Sequence, residues 1–399
     1  MKTSLAGWLL ACALGAQAWA ADASPSLIER VTLDLRVRHE HAEQSGLRSS
    51  DALTLRARLG VVTPAWRGWQ AGLEAEHITS PDGDRYNQAG LNPGGAGRVV
   101  VADPEGTEVN QAYARYTTGG SVLTLGRQRL VIDQARFIGD VGWRQNAQTF
   151  DAVAWSGRPH SALALTAAYL GRVNRVLGDR HPQGNWDSTS FLVHGAWSGL
   201  PRGLKVTTYA YLLDFANAAV QGNATYGLTL AGTAKASGGA TFSYRTEYAR
   251  QTDYGDSPLS YATDYAGAEL GVALAPGGLA LGGEWLGSDG GTAFRTPLAT
   301  LHAFNGWADV FTTTPANGLE DVYVKGNLNL PAAVKATVRH HWFEARRLGA
   351  VYGREWDAQL SRAFRGGVTV MAKYARFTPA AGTSFPKVEK VWLQAEFIR

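Results

Sequence analysis

The chain has one cysteine, Cys12, in 399 residues. It lies in an apolar N-terminal stretch, so once that stretch is removed no disulfide, thiolate metal site or cysteine nucleophile is possible. Also missing beyond the N-terminus is any run near the roughly 18 consecutive apolar residues of a transmembrane helix. A chain that crosses a membrane without one does so as a closed barrel. The chain also has little excess of either charge. Lys and Arg number 38 against 34 Asp and Glu, and no compact basic cluster speaks for nucleic acid. No G-x-S-x-G or H-E-x-x-H sequence accompanies the nine histidines, which leaves a hydrolase with a site at an outer rim as a distant alternative and gives no catalytic residue.

What is present begins at the N-terminus. Lys2, an apolar run from Leu5 to Gly15, and Ala18-Trp19-Ala20 before Ala21 read as a secretory signal peptide over residues 1–20, leaving 21–399 as the mature chain. From residue 31 the sequence alternates strictly. Val31, Leu33, Leu35 and Val37 are aliphatic, while Thr32, Asp34, Arg36 and Arg38 are polar. A strand sends successive side chains to opposite faces, so one face is greasy and the other carries lone charges. About eighteen such segments follow one another, the last near 389–398. An even number of two-faced strands predicts an all-β fold, a transmembrane antiparallel β-barrel of about 18 strands.

The connections give an independent test. Thr118-Gly119-Gly120, Gly157-Arg158-Pro159-His160, Ala275-Pro276-Gly277 and Arg365-Gly366-Gly367 are brief turns, and between them fall longer stretches, the largest near 78–106, 131–147 and 287–319. Outer-membrane barrels alternate short periplasmic turns with long external loops, and this parity places both termini in the periplasm. The last strand carries an apolar row ending at Phe397, similar to the signal read by the barrel assembly machinery during biogenesis. A barrel of this kind is expected in outer-membrane lipid, as a monomer, with no cofactor and no metal. Asp82-Gly83-Asp84 and Asp103-Pro104-Glu105 either approach a calcium ion at the outer rim or are solvated loop acids, and the latter is expected.

Phase assigns Arg36, Arg38, Arg56, Arg58, Glu74, Glu76, Arg115, Lys325 and Arg339 to the lumen. The four arginines of the first two strands form a basic ladder beside an acidic strip. Either they are structural ion pairs on a wet wall, or they set up a field that selects charged solutes. Arg127 and Arg129 break the rule by sharing the phase of Leu123 and Leu125. Either a bulge near Gly126 flips the phase or the strand has already left the hydrocarbon region; the bulge, or an inward-turning strand end, is expected, since an arginine facing mid-bilayer costs about 2–4 kcal/mol.

Gly126-Arg127-Gln128-Arg129, Val141-Gly142-Trp143-Arg144-Gln145-Asn146 and Gln148-Thr149-Phe150-Asp151 resemble the central signature of the alginate export family of outer-membrane proteins. So do Thr296–His302, Phe304–Asp309 and Thr314–Asp321. The resemblance implies an eighteen-stranded monomeric porin, with an arginine-rich constriction in members that pass alginate. By residue matching, Arg127, Arg129 and Arg144 are the constriction candidates. The expected solute is an anionic saccharide or organic acid such as an alginate-like polyuronate, with a general diffusion porin as the alternative. The stretch around Phe304-Asn305-Gly306-Trp307 either folds into the pore mouth or packs on itself as an external loop.

Overall fold

The computed structural model describes residues 27–236 and 238–399. The expected signal peptide at 1–20 lies outside the described residues. The chain runs through β1 (Arg30–Gln44), β2 (Ser50–Val62), β3 (Trp69–Thr79), β4 (Gly106–Thr118), β5 (Ser121–Gln128) and β6 (Thr149–His160). It continues through β7 (Leu163–Asn174), β8 (Asn185–Trp197), β9 (Lys205–Leu213), β10 (Asn223–Lys235), β11 (Thr241–Thr252) and β12 (Ala262–Leu274). The last third is β13 (Gly277–Leu286), β14 (Leu319–Leu330), β15 (Val334–Glu344), β16 (Val351–Ala363), β17 (Val368–Pro379) and β18 (Val388–Ile398).

Each strand pairs antiparallel with the next, and β18 returns to β1 through pairs from Asp34↔Ile398 to Gln44↔Val388. The sheet is thus a closed eighteen-stranded barrel, which leaves no edge whose backbone groups lack partners. The alternation expected from the sequence fixes what faces where, and it inverts the usual burial. Arg56 is 2% exposed, while its neighbour Leu55 is 39% and Leu59 is 56% exposed. Leucine outside and arginine inside is the arrangement of a transmembrane barrel with a lipid-facing wall and a polar interior. The long connections 80–105, 129–148 and 287–318 all leave the same end of the barrel, as their parity predicts.

Two local expectations need correction. β6 continues through His160, so the turn is Ser161-Ala162 rather than Gly157–His160, and the extra length is absorbed by a register shift between Gly157 and His160. The phase flip expected near Gly126 is absent, because β5 keeps one register from Ser121 to Arg127 with β4 and to Gln128 with β6. Gly126 takes a positive φ of 108° without displacing the ladder.

The hydrophobic core lies inside the barrel, not between sheets. Phe137, Ile138, Phe294, Leu298, Trp307 and Phe311 from connections 129–148 and 287–318 pack on Tyr209, Tyr265, Phe343, Phe377 and Trp392 of the wall. On the outer face, Leu281 midway along β13 lies beside Leu270 and Val324 in a continuous apolar band. Leu281→Arg is expected to destabilise the barrel by about 2–4 kcal/mol in urea titrations in lipid vesicles, whereas lumen-facing Asn327→Arg is expected to stay within about 0.5 kcal/mol.

Candidate functional site

Two long connections fold inward and meet. Loop A (129–148) and loop B (287–318) share a parallel bridge between Ile138 and Leu298. The Gly139 N–H donates to Leu298 O at 2.9 Å and the Thr300 N–H to Ala135 O at 3.0 Å. The Gln148 side-chain amide donates to the carbonyls of both Gly139 and Leu298, at 2.8 and 3.1 Å. Glycine is required at 139, since a Cβ there would stand 2.2 Å from Thr300 Oγ1. Both loops also hold residues in the left-handed region, including Val141 at φ 49° and Asp309 at φ 62°. Such conformations cost of order 1–3 kcal/mol each and persist only where surrounding contacts impose them.

The ladder supplies many of those contacts. Arg36 Nη1 donates to the carbonyls of Gly142, Trp143 and Arg144 at 3.1–3.3 Å. Arg58 Nη2 donates to Gln145 O at 2.9 Å, with Arg56 Nη1 at 3.5 Å from the same oxygen. Each ladder arginine also has an acid. Arg36 meets Glu396 at 2.6 Å, Arg38 meets Asp103 at 3.6 Å, and Arg56 meets Asp34 at 2.6 Å and Glu396 at 3.0 Å. Arg58 bonds Glu76 and lies 3.7 Å from Asp34. Phase therefore placed these residues on the correct side, but loop A covers them. Their charge is spent on carboxylates and on carbonyls that, buried without donors, would each cost about 1–3 kcal/mol.

Arg144 is likewise a tie inside the barrel, at 3.2 Å from both Glu40 and Asp309. Asp103, expected as a solvated acid, is buried against Arg38 and Arg144 and accepts the Gln145 N–H at 2.7 Å. Arg129 reaches Glu74 in the lumen at 3.3 Å. Arg115 lies over the Tyr113 ring and 3.4 Å from Thr124 Oγ1. Arg127 is a correction to the pore-lining set. With no phase flip it stays on the outer face of the strand's far end, where Asp151 on β6 holds it through contacts of 2.7 and 3.2 Å. That bidentate pairing removes the need to turn inward.

Lys373 on β17 closes the loops onto the wall. Its Nζ lies 3.6 Å from the Trp307 ring centroid, 4.1 Å from that of Trp143 and 5.7 Å from that of Trp392. It donates to His302 Nε2 at 2.7 Å, and His302 Nδ1 faces Asp309 at 2.8 Å. Burial holds the His302 imidazole well below its ordinary value, hence neutral. Burial alone would raise Asp309, but His302, Lys390 and Arg144 hold its carboxyl well below the usual range. The sequence motif at Phe304–Asp309 pointed to this loop. Phase could not reveal Asp309 or His302, because loops have no two-residue period.

Beside the loops, between their inner surface and β11–β15, lies a recess of about 280 Å³. Lys325 pairs with Glu269 there at 2.5 Å, and Tyr323 donates to the same carboxylate at 2.8 Å. Gly282 lets Tyr323 lie flat across the strand, since a Cβ would stand 2.5 Å from its ring. Arg136 is taken by Glu284 at 2.7 Å, and Arg245 by Asp133 at 2.5 Å and Glu247 at 2.9 Å. Among the described residues, no group of three His, Cys, Asp or Glu side chains is placed to hold a metal ion.

Two expectations follow for planar-bilayer recordings. Replacing Arg56 and Arg58 together by Gln removes one side of buried pairs worth about 3–5 kcal/mol on disruption. This should raise conductance and gating noise with little change in reversal potential. A carboxylate of depressed pKa stabilises above its unfolded value near 4 and loses that contribution only as pH falls through the folded value. The loop tie at Asp309 should therefore leave gating noise flat from pH 7 to about 4, while Asp309→Asn raises noise throughout.

Residues 29–268 match the family described as alginate export. The later motifs at 296–321 fall outside that span. No curated protein sequence matches the chain. Among solved structures, OccAB2 of Acinetobacter baumannii has a TM-score of 0.74 at 14% identity, covering 94% of this chain and 99% of that one. OpdK of Pseudomonas aeruginosa, solved with vanillate, gives 0.72 at 13% identity, with 94% and 99% covered. OccK9 (OpdG) of Pseudomonas aeruginosa gives 0.73 at 14%, with 94% and 100% covered. These outer-membrane porins show the fold this chain shares. With more than half of its length matched, from the start of β1 into β12, the chain belongs to the alginate export family.

Proposed function

We propose that this barrel is an outer-membrane channel for anionic saccharides or small organic acids. One observation carries the reading: the lumen-facing charges left without an oppositely charged partner at accessible positions are mostly cationic, with Glu108 on β4, across from Glu76, as an exception. Arg115, Lys205, Lys335 and Arg339 have no carboxylate within 4 Å among the described residues, while Asp34, Glu74, Glu247, Glu269 and Glu396 each have a basic partner. A net positive wall in a narrowed lumen favours anions without holding them tightly, which conduction requires. The vanillate in the OpdK structure is a carboxylate of the size the recess accommodates.

In this reading residues 1–20 are a cleaved signal peptide, the barrel assembly machinery inserts residues 21–399 as a monomer, and both termini face the periplasm. Catalysis is not part of it. His41, His302 and His341 each meet an acid, but none is hydrogen-bonded to a serine hydroxyl among the described residues.

Reconstituted in planar bilayers under a KCl gradient, the mature chain should show a reversal potential on the chloride side. Oligogalacturonates or aromatic carboxylates should reduce its current. A cation-selective or unselective conductance indifferent to both would overturn the proposal and leave a general diffusion porin.

A further inference from the structure

Resting on the channel reading above, we infer that Arg339 is the anion-contacting residue that sets selectivity, with Lys325, itself paired with Glu269, beside it, and that its ligand is a carboxylate on a hydroxylated ring. The motif-matched arginines do not hold this position. Arg127 is outside the lumen, Arg144 is tied to three acids, and the ladder of Arg36, Arg38, Arg56 and Arg58 is neutralised and covered by loop A. Of the inward cations without an acid, Lys205 and Lys335 stand at the short-turn ends of their strands and Arg115 close to one. Lys373 is enclosed by three tryptophans.

Arg339 is different in both place and surroundings. It sits midway along β15, directly across from Lys325 on β14, at the level of the inner tip of loop B. Its guanidinium stands 4.8 Å from the Trp307 ring centroid and Nη1 donates to Ala303 O at 3.3 Å. Nε is buried without a partner. The remaining donor edge belongs to the recess, which the rings of Phe304 and Tyr323 also line. A planar guanidinium with unused donors beside an ammonium is suited to a carboxylate.

The recess also defines the rest of the ligand. Its volume lies near the lower limit of small-molecule sites, matching one ring rather than a folded polymer segment. Glu269 accepts from Tyr323 and Lys325 through one oxygen, Oε2, and its other oxygen takes no hydrogen bond among the described residues. That free acceptor fits a ring hydroxyl and repels a second negative charge. A sugar acid and a hydroxybenzoate share this chemistry.

The test compares wild type with Arg339→Gln, Arg339→Lys, Glu269→Gln and Arg58→Gln in bilayers, reading reversal potential and current block by D-galacturonate and by 4-hydroxybenzoate separately. Arg339→Gln should move the reversal potential toward cations and raise the half-blocking concentration about tenfold, as for the loss of one charge-assisted hydrogen bond. Arg339→Lys should keep the reversal potential and weaken the block. Glu269→Gln should move the reversal potential further toward anions. Arg58→Gln should alter conductance and noise but not the permeability ratio. Block by only one of the two probes assigns the ring type. If wild type is blocked and Arg339→Gln behaves identically, the inference falls while the channel reading stands. If wild type shows neither anion preference nor block, the channel reading itself falls. Should Arg339→Gln fail to insert, Arg339→Lys and Glu269→Gln decide the matter: unchanged block in the first and unchanged reversal potential in the second would overturn the inference.

Discussion

Every peptide group in the wall has to find its partner within the wall, because lipid offers none. The pairing of β1 with β18 satisfies that constraint, and the rest of the molecule follows from it. A closed ring of strands has an outside that must be apolar and an inside that is left to the alternate residues. Those residues are polar, so the interior becomes a place where the backbone of an incoming loop can be hydrogen-bonded. The carbonyls of Gly142, Trp143, Arg144 and Gln145 are served by arginines whose positions are dictated by strand phase.

This arrangement gives the ladder a structural meaning. A guanidinium that is bonded to both a carboxylate and a carbonyl contributes little net field to the lumen, yet it fixes the loop that narrows it. In the proposed channel, selectivity and constriction therefore rest on different residues. The arginines of β1 and β2 hold the shape, and the mid-strand cation without an acid, Arg339, lies elsewhere on the wall, on β15. The strained φ values of Val141 and Asp309 are consistent with loops held from several sides.

Much of this was legible in the sequence, because a two-residue period is a direct record of which side chain faces lipid. It located the strands, the long loops, and Arg36, Arg58 and Arg339 on the inner wall. The phase rule was sound even where it looked violated. Arg127 does share the face of Leu125, and the motif match that drew it into the constriction was the weaker guide. Legibility ended at the loops. Whether Trp307 enters the barrel or packs outside depends on Lys373, Trp143 and Trp392, which come from three different parts of the chain. The pairing of Asp103 with Arg38 and Arg144 is equally long-range and leaves no local pattern.

Loops A and B meet inside the barrel and are held there. Residues 13–399 contain no cysteine, so Ile138→Cys with Leu298→Cys creates one pair at the parallel bridge between the loops. Mild oxidation of the folded protein in lipid should join the two positions nearly completely and leave single-channel conductance unchanged. A pair that stays reduced under oxidant, or that forms only with a large change in conductance, would contradict the account.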